Sequence, residues 1–185
     1  MNNFSRVNFN FFNLFLFCFF ACRLASAQGV DESEKSRALL KSANTVVLIF
    51  VRTDCPISNR YAPELKRLAE KYKSEKVKFF LIYSGSEQTA ELIKEHQAEF
   101  ALPMEALRDP HLKFAKEFGV TVTPECVVLQ QGKLMYRGRI DNRFVAFGKM
   151  RTAPTSHDLE NVLEAVNKGK TVPKKITKAI GCFIS

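Results

Sequence analysis

The chain has 185 residues, 46% of them hydrophobic, with 28 basic against 19 acidic side chains and a net charge of +9. That length suits one domain with a real core. The charge excess sits at the two ends, in Arg6 and Arg23 and in five lysines (168, 170, 174, 175 and 178) of one acid-free stretch, so the body is nearly balanced. No nucleic-acid motif accompanies the basic stretch, so no nucleic-acid partner is expected, and it reads as a solvated tail or a transient contact with an anionic membrane surface.

Residues 1–27 read as an export signal. Arg6 supplies the positive start, Phe9 to Cys22 is mostly apolar, and Ala25-Ser26-Ala27 fits the small-x-small cleavage pattern. The apolar stretch is short for a bilayer span, which needs roughly 20 residues. Cleavage would place the mature chain in the periplasm or outside the cell, with a net charge of +7 once Arg6 and Arg23 leave. Cys18 and Cys22 leave with the signal, and Cys55, Cys126 and Cys182 remain. In an oxidising compartment disulfides persist. Three thiols is an odd number, so at least one stays free or pairs outside the chain.

Residues 28–43 are a polar lead-in with a short helix expected at 31–41. Val46-Val47-Leu48-Ile49-Phe50-Val51 reads as a strand buried on both faces, beginning near residue 45. It stops at Arg52-Thr53-Asp54-Cys55-Pro56-Ile57-Ser58, where a helix should begin. A cysteine at a helix start is held toward thiolate by free N–H groups and the helix dipole. That makes Cys55 the candidate nucleophile. Leu65, Leu68, Ala69 and Tyr72 recur at helical spacing, and Pro63 should bend that helix.

Val77 to Tyr83 reads as a second buried strand, broken by Ser84-Gly85-Ser86. Residues 87–100 read as an amphipathic helix and Met104 to Leu107 as a short strand. Asp109-Pro110 reads as N-cap and first turn of a helix that runs to Phe118 and ends at Gly119. After Thr121-Val122-Thr123-Pro124, Glu125 to Leu129 is a strand, Gln131-Gly132 a turn and Lys133 to Ile140 its hairpin partner. Thr155 and Asp158 resemble a capping box opening a last helix that stops at Lys168-Gly169. The order predicts an α/β fold with a mixed central sheet flanked by helices over residues 44–168, followed by a basic C-terminal tail, 169–185, carrying Cys182.

Three features resemble the thioredoxin-like superfamily, closest to its redoxin branch of peroxiredoxins and exported disulfide reductases. They are Thr53-Asp54-Cys55-Pro56-Ile57-Ser58 between strand and helix, Pro63 eight positions after Cys55, and Val122-Thr123-Pro124 before a strand and hairpin. The resemblance implies a thioredoxin-like fold and a cis Pro124 loop facing Cys55. It also implies thiol chemistry on a protein disulfide or a peroxide, with an external thiol as reductant and no cofactor.

This chain departs from the family pattern at Ser58, which stands where the second cysteine of C-x-x-C would be, so Cys55 has no local partner. Thr53 lies only two residues before Cys55, unlike the Thr-x-x-Cys of peroxiredoxins. Cys182, in Ile180-Gly181-Cys182-Phe183, is the candidate resolving thiol, reached through a flexible glycine-bearing approach; a loose terminal thiol or a structural disulfide is the competing reading. Cys126 reads as a core cysteine before a redox partner. Arg137 or Arg139 is available to polarise a peroxide, although solvated strand arginine is the commoner state. The competing function is a redox-inactive or copper-handling module. Asn59 stands where such proteins carry a second cysteine, and His96, His111 and His157 read as surface residues on helices. Cys55 with Cys182 remains a soft pair suited to Cu(I).

Overall fold

The computed structural model describes residues 38, 41, 43–172 and 175–184. All of them belong to one unit, residues 32–185. The expected signal with Cys18 and Cys22, and most of the lead-in with its short helix, lie outside the described residues.

Strand β1 (Thr45–Val51) is buried at every position, because it is the middle of a five-stranded sheet covered on both faces. The sheet order is β3-β2-β1-β5-β6, with β2 (Val77–Ser84), β3 (Glu105–Asp109), β5 (Glu125–Gln130) and β6 (Lys133–Gly138). β1, β2 and β3 are parallel, with Val47 opposite Phe79 and Leu81 opposite Ala106. β5 runs antiparallel to β1, with Val47 opposite Val128, and β6 antiparallel to β5.

The two-residue period of β1 divides the core. Val47, Ile49 and Val51 face helices α1 (Pro56–Tyr72), α2 (Ala90–Glu99) and α4 (Asp158–Asn167) through Leu65, Leu68, Ile93, Leu159 and Leu163. Val46, Leu48 and Phe50 face Phe114, Ala115 and Val120 on and beside α3 (Lys113–Phe118). Fully burying each such side chain contributes about 1.5–3 kcal/mol. This is the expected mixed sheet flanked by helices.

Several boundaries differ from expectation for identifiable reasons. α2 begins at Ala90 instead of residue 87, because Thr89 caps it by accepting from Leu92 N at 3.3 Å. Asp109 is not an N-cap: it extends β3 opposite Ser84, and its carbonyl accepts from Gly85 N and Leu112 N. Its carboxylate still reaches forward to Ala115 N at 3.0 Å, satisfying a donor of the short α3. The Thr155–Asp158 capping box does not form either. Asn142 Oδ1 accepts from Thr155 N and Ser156 N, while Asp158 is taken by Arg139 at 2.9 Å. β6 ends at Gly138 instead of Ile140, and a small hairpin, β7 (Phe144–Ala146) with β8 (Lys149–Met150), follows unforeseen.

The C-terminal segment is folded onto the domain. Residues 175–177 run beside β6, with Arg137 N donating to Lys175 O at 2.9 Å and Thr177 N to Arg137 O at 3.1 Å. A Cβ on Gly138 (φ +152°) would collide with Thr177. Beyond them β9 (Cys182–Phe183) pairs antiparallel with β4 (Val122–Thr123). No described helix is long and apolar enough to cross a membrane.

Candidate active site

Cys55 is the N-cap of α1. Its backbone is extended, Pro56 follows at the first helical turn, and Ser58 N donates to its sulfur at 3.4 Å. Across from it the Thr123–Pro124 peptide is cis, as the resemblance implied. Pro124 is buried, and the Thr123 carbonyl lies 3.1 Å from Cys55 Sγ.

The same stretch of backbone holds Cys182. Register places Cys182 opposite Thr123, and a Cβ on Gly181 would collide with the Thr123 carbonyl, so only glycine lets the strands approach there. The two sulfurs stand 2.9 Å apart, and both cysteines are free thiols. The approach to Cys182, expected to be flexible, is tied to β6 at residues 175–177 and to β4 at Cys182 and Phe183.

The two thiols differ in environment. Cys55 is 1% exposed, whereas Cys182 is partly exposed and is followed by Phe183 at 82%. Burial pushes the Cys55 thiol up, but hydrogen bonding with Cys182 and with Ser58, whose N–H donates to the sulfur, outweighs it, and the net shift is down. Cys182 is pushed up to about 12, first by burial and then by holding its proton against Cys55. Both the Ser58 and Thr123 hydroxyls are buried without a partner among the described residues.

Cys126 lies in the core, its thiol donating to Gly138 O at 3.1 Å, and burial pushes its pKa well up. Thr53 supplies backbone: its N–H donates to Gln88 Oε1 at 2.9 Å, and its carbonyl accepts from Asn59 Nδ2 at 3.1 Å. Arg139 is partly exposed and forms a two-pronged pair with buried Asp158. Arg137 caps the end of α3 through Phe118 O and Gly119 O. Arg52 bridges Asp54 and Glu87, and at Cys182 its charge opposes the upward push of burial, Cys55 and Asp54 without overcoming it. Its position directly after an apolar strand was the only sequence signal for it.

His96 was misread as a surface residue. It is 5% exposed, with Nδ1 against Tyr83 OH and Nε2 against Asn59 Oδ1, each at 2.9 Å. Because Asn59 donates its amide to Thr53, its oxygen must accept, and His96 is the neutral Nε2–H tautomer. Burial lowers its pKa. His111 and His157 are exposed, neither within a helix. His157 lies with Glu64 and Glu160 in a group of metal-ligand types, but Arg67 and Lys71 already hold Glu160.

A family model described as Redoxin matches residues 23–150. Among solved structures, an uncharacterized conserved protein from Geobacillus kaustophilus matches at 28% identity with a TM-score of 0.68, covering 79% of each chain. A hypothetical protein from Sinorhizobium meliloti 1021 matches at 25% identity and TM-score 0.69, covering 80% of this chain and 82% of its own. MTB DsbF, in mixed oxidized and reduced forms, shares the fold at 18% identity and TM-score 0.50, over 69% of this chain and 84% of its own. No curated protein matches.

Proposed function

The chain belongs to the redoxin family, and from that premise we propose that it is an exported thiol–disulfide oxidoreductase or redoxin working through Cys55 and Cys182. The observation that carries this reading is the 2.9 Å separation of the two sulfurs. A disulfide bond is about 2.05 Å long, so closure needs only a small movement.

In the oxidative half-reaction the Cys55 thiolate attacks. With a peroxide it takes the terminal oxygen, giving a sulfenic acid and, after protonation, an alcohol or water. Cys182 then attacks the Cys55 sulfur and expels water, leaving the Cys55–Cys182 disulfide. With a substrate disulfide it forms a mixed disulfide and expels one thiolate, and Cys182 then expels the second. Either way two electrons leave the thiol pair, and an external thiol restores them. Pro124 shapes the wall against which the sulfur stands.

Residues 1–27 act as the signal in this proposal, 44–168 as the redox domain and 169–185 as the segment delivering Cys182, in the periplasm or outside the cell. A groove of about 680 Å³, with apolar lining from Val122, Phe147, Ile176 and Phe183 and charged lining from Glu125, Arg137 and Lys178, includes the two neighbours of Cys182, Gly181 and Phe183, and suits a polypeptide partner. The test is turnover of peroxide and of a protein disulfide by the parent, Cys55→Ser and Cys182→Ser. Cys55→Ser should abolish turnover, and Cys182→Ser should stall with Cys55 trapped as sulfenic acid or mixed disulfide. Parent-level turnover in both variants would contradict the reading.

A further inference from the structure

We propose that Thr177 is a positioning residue for disulfide closure: its hydroxyl, clipped between Tyr136 and Arg139, fixes the C-terminal segment so that Cys182 meets Cys55. This rests on the reading that the two cysteines form a redox disulfide. It adds the side chain, five residues before Cys182, that sets how readily the disulfide closes.

β9 by itself holds Cys182 weakly. It pairs with β4 over two residues, extended by one hydrogen bond from Ile184 N to Thr121 O at 3.0 Å. Phe183 is 82% exposed, so little apolar burial backs that pairing. Between Thr177 and Cys182 only the small Ala179 is buried, with Ile180 half-buried. A firmer tie has to come from upstream.

Thr177 supplies it. β6 ends at Gly138, so the N–H and C=O of Arg139 need partners outside the sheet. Tyr136 OH donates to Arg139 O at 2.7 Å, and Arg139 N donates to Thr177 Oγ1 at 3.2 Å. The single phenolic proton of Tyr136 is thereby spent. In the 2.5 Å contact between Tyr136 OH and Thr177 Oγ1, Thr177 is therefore the donor. Both hydroxyls give one hydrogen bond and receive one, on a tyrosine that is fully buried. Thr177 N also donates to Arg137 O at 3.1 Å, and Gly138 leaves free the space that Thr177 fills. Valine has nearly the shape of threonine and can make neither side-chain bond.

The clip shortens the tether on which Cys182 travels. Among the described residues, the last buried one upstream is Val172, ten residues before Cys182. Releasing the segment at Thr177 doubles the tether. Effective concentration falls roughly as the −3/2 power of tether length, so about threefold, and loss of register at β9 adds to that.

The test equilibrates the parent, Thr177→Val, Thr177→Ser and Tyr136→Phe with glutathione and glutathione disulfide. Peptide mapping after an acid quench reads the Cys55–Cys182 disulfide. One glutathione disulfide takes two electrons from the dithiol and becomes two glutathione thiols, the protein gaining its disulfide. The equilibrium constant measures the effective concentration of Cys182 at Cys55. A parent that forms no such disulfide would sink the redox-pair reading itself. The expected constant for Thr177→Val is at least about threefold below the parent. Tyr136→Phe should fall in the same direction, and Thr177→Ser should keep the parent value. Cys55 should alkylate no more slowly in Thr177→Val than in the parent, which places the loss in closure. Circular dichroism and urea unfolding show which variants keep the fold; should Thr177→Val not fold, Tyr136→Phe decides. A parent-like constant in the folded variant, or Thr177→Ser falling as far as Thr177→Val, would overturn the proposal.

Discussion

Cys55 and Cys182 are 127 positions apart, yet their sulfurs lie 2.9 Å apart, because Cys182 pairs in register with Thr123, whose carbonyl lies 3.1 Å from Cys55 Sγ. One short stretch of backbone, Val122-Thr123-Pro124, thus positions both thiols. In the proposed reading the C-terminal strand supplies the partner missing from the C-x-x-C position at Ser58.

Cys55 should titrate below an ordinary thiol, whose pKa is roughly 8.5. Its shift is downward through donors that include Ser58. Ser58→Ala should therefore raise the Cys55 pKa and slow alkylation at pH 7 about tenfold, since a hydrogen bond to a charged group contributes about 1.5–3 kcal/mol. Stability should hold within about 0.5 kcal/mol or rise, because the buried hydroxyl is unpartnered beside the neutral thiol. Alkylation rate against pH, with urea unfolding of both forms, checks this. An unchanged profile would remove Ser58 from the thiolate's support.

Gly181→Ala should lift the C-terminal strand from β4. The added Cβ meets the Thr123 carbonyl and the Pro124 nitrogen, a backbone clash that no side-chain rotation relieves. The expected cost is about 1–3 kcal/mol. Cys55 should alkylate faster, and oxidation should no longer close the Cys55–Cys182 disulfide. If that disulfide still forms at the parent rate, β9 does not position Cys182.

Glu160 joins α4 to α1 through Arg67 and Lys71. Hydrogen bonds from Arg67 lead in holding its carboxyl down at about 2. A depressed carboxylate contributes stability above its unfolded pKa, near 4.5, and loses it as the pH falls toward 2. Urea midpoints between pH 5 and 2 should therefore fall more steeply for the parent than for Glu160→Gln. Parallel curves would show that the exposed half of this network adds nothing.

How much of this was legible in the sequence follows from how local each signal is. Cys55, Pro56 and Pro63 act within one strand–helix junction, and Thr123-Pro124 within one loop, so their pattern could be read directly. The alternation of β1 sufficed for a doubly buried strand. The place of Cys182 depends on a two-residue pairing 59 positions away (Thr123 with Cys182) and on Gly138 and Gly181 admitting backbone contact. A basic, acid-free stretch carries no periodic trace of that. His96 sits among polar neighbours on an amphipathic helix, and its partners Tyr83 and Asn59 come from other elements. Asp158 looked like a capping residue because Arg139, its actual partner, is brought in by β6.

His96→Ala should loosen the Thr53–Asp54–Cys55 turn through Asn59. Removing one partner leaves Tyr83 OH and Asn59 Oδ1 unsatisfied, at a cost of about 1–3 kcal/mol each when buried. Because burial lowers the His96 pKa, its contribution is complete above the unfolded value of roughly 6.5 and is lost as the pH falls through the lower folded value. Stability between pH 7 and 5 should thus fall in the parent and stay flatter in His96→Ala. Equal slopes would contradict a buried, neutral imidazole.

The central claim is that Cys55 and Cys182 form the redox pair while Cys126 stays apart. Peptide mapping of cysteine connectivity, before and after stoichiometric peroxide or a disulfide substrate, tests it most directly. The account predicts a new Cys55–Cys182 disulfide, with Cys126 recovered as a free thiol in both samples. A disulfide containing Cys126, or Cys55 and Cys182 both left unpaired after oxidation, would contradict it.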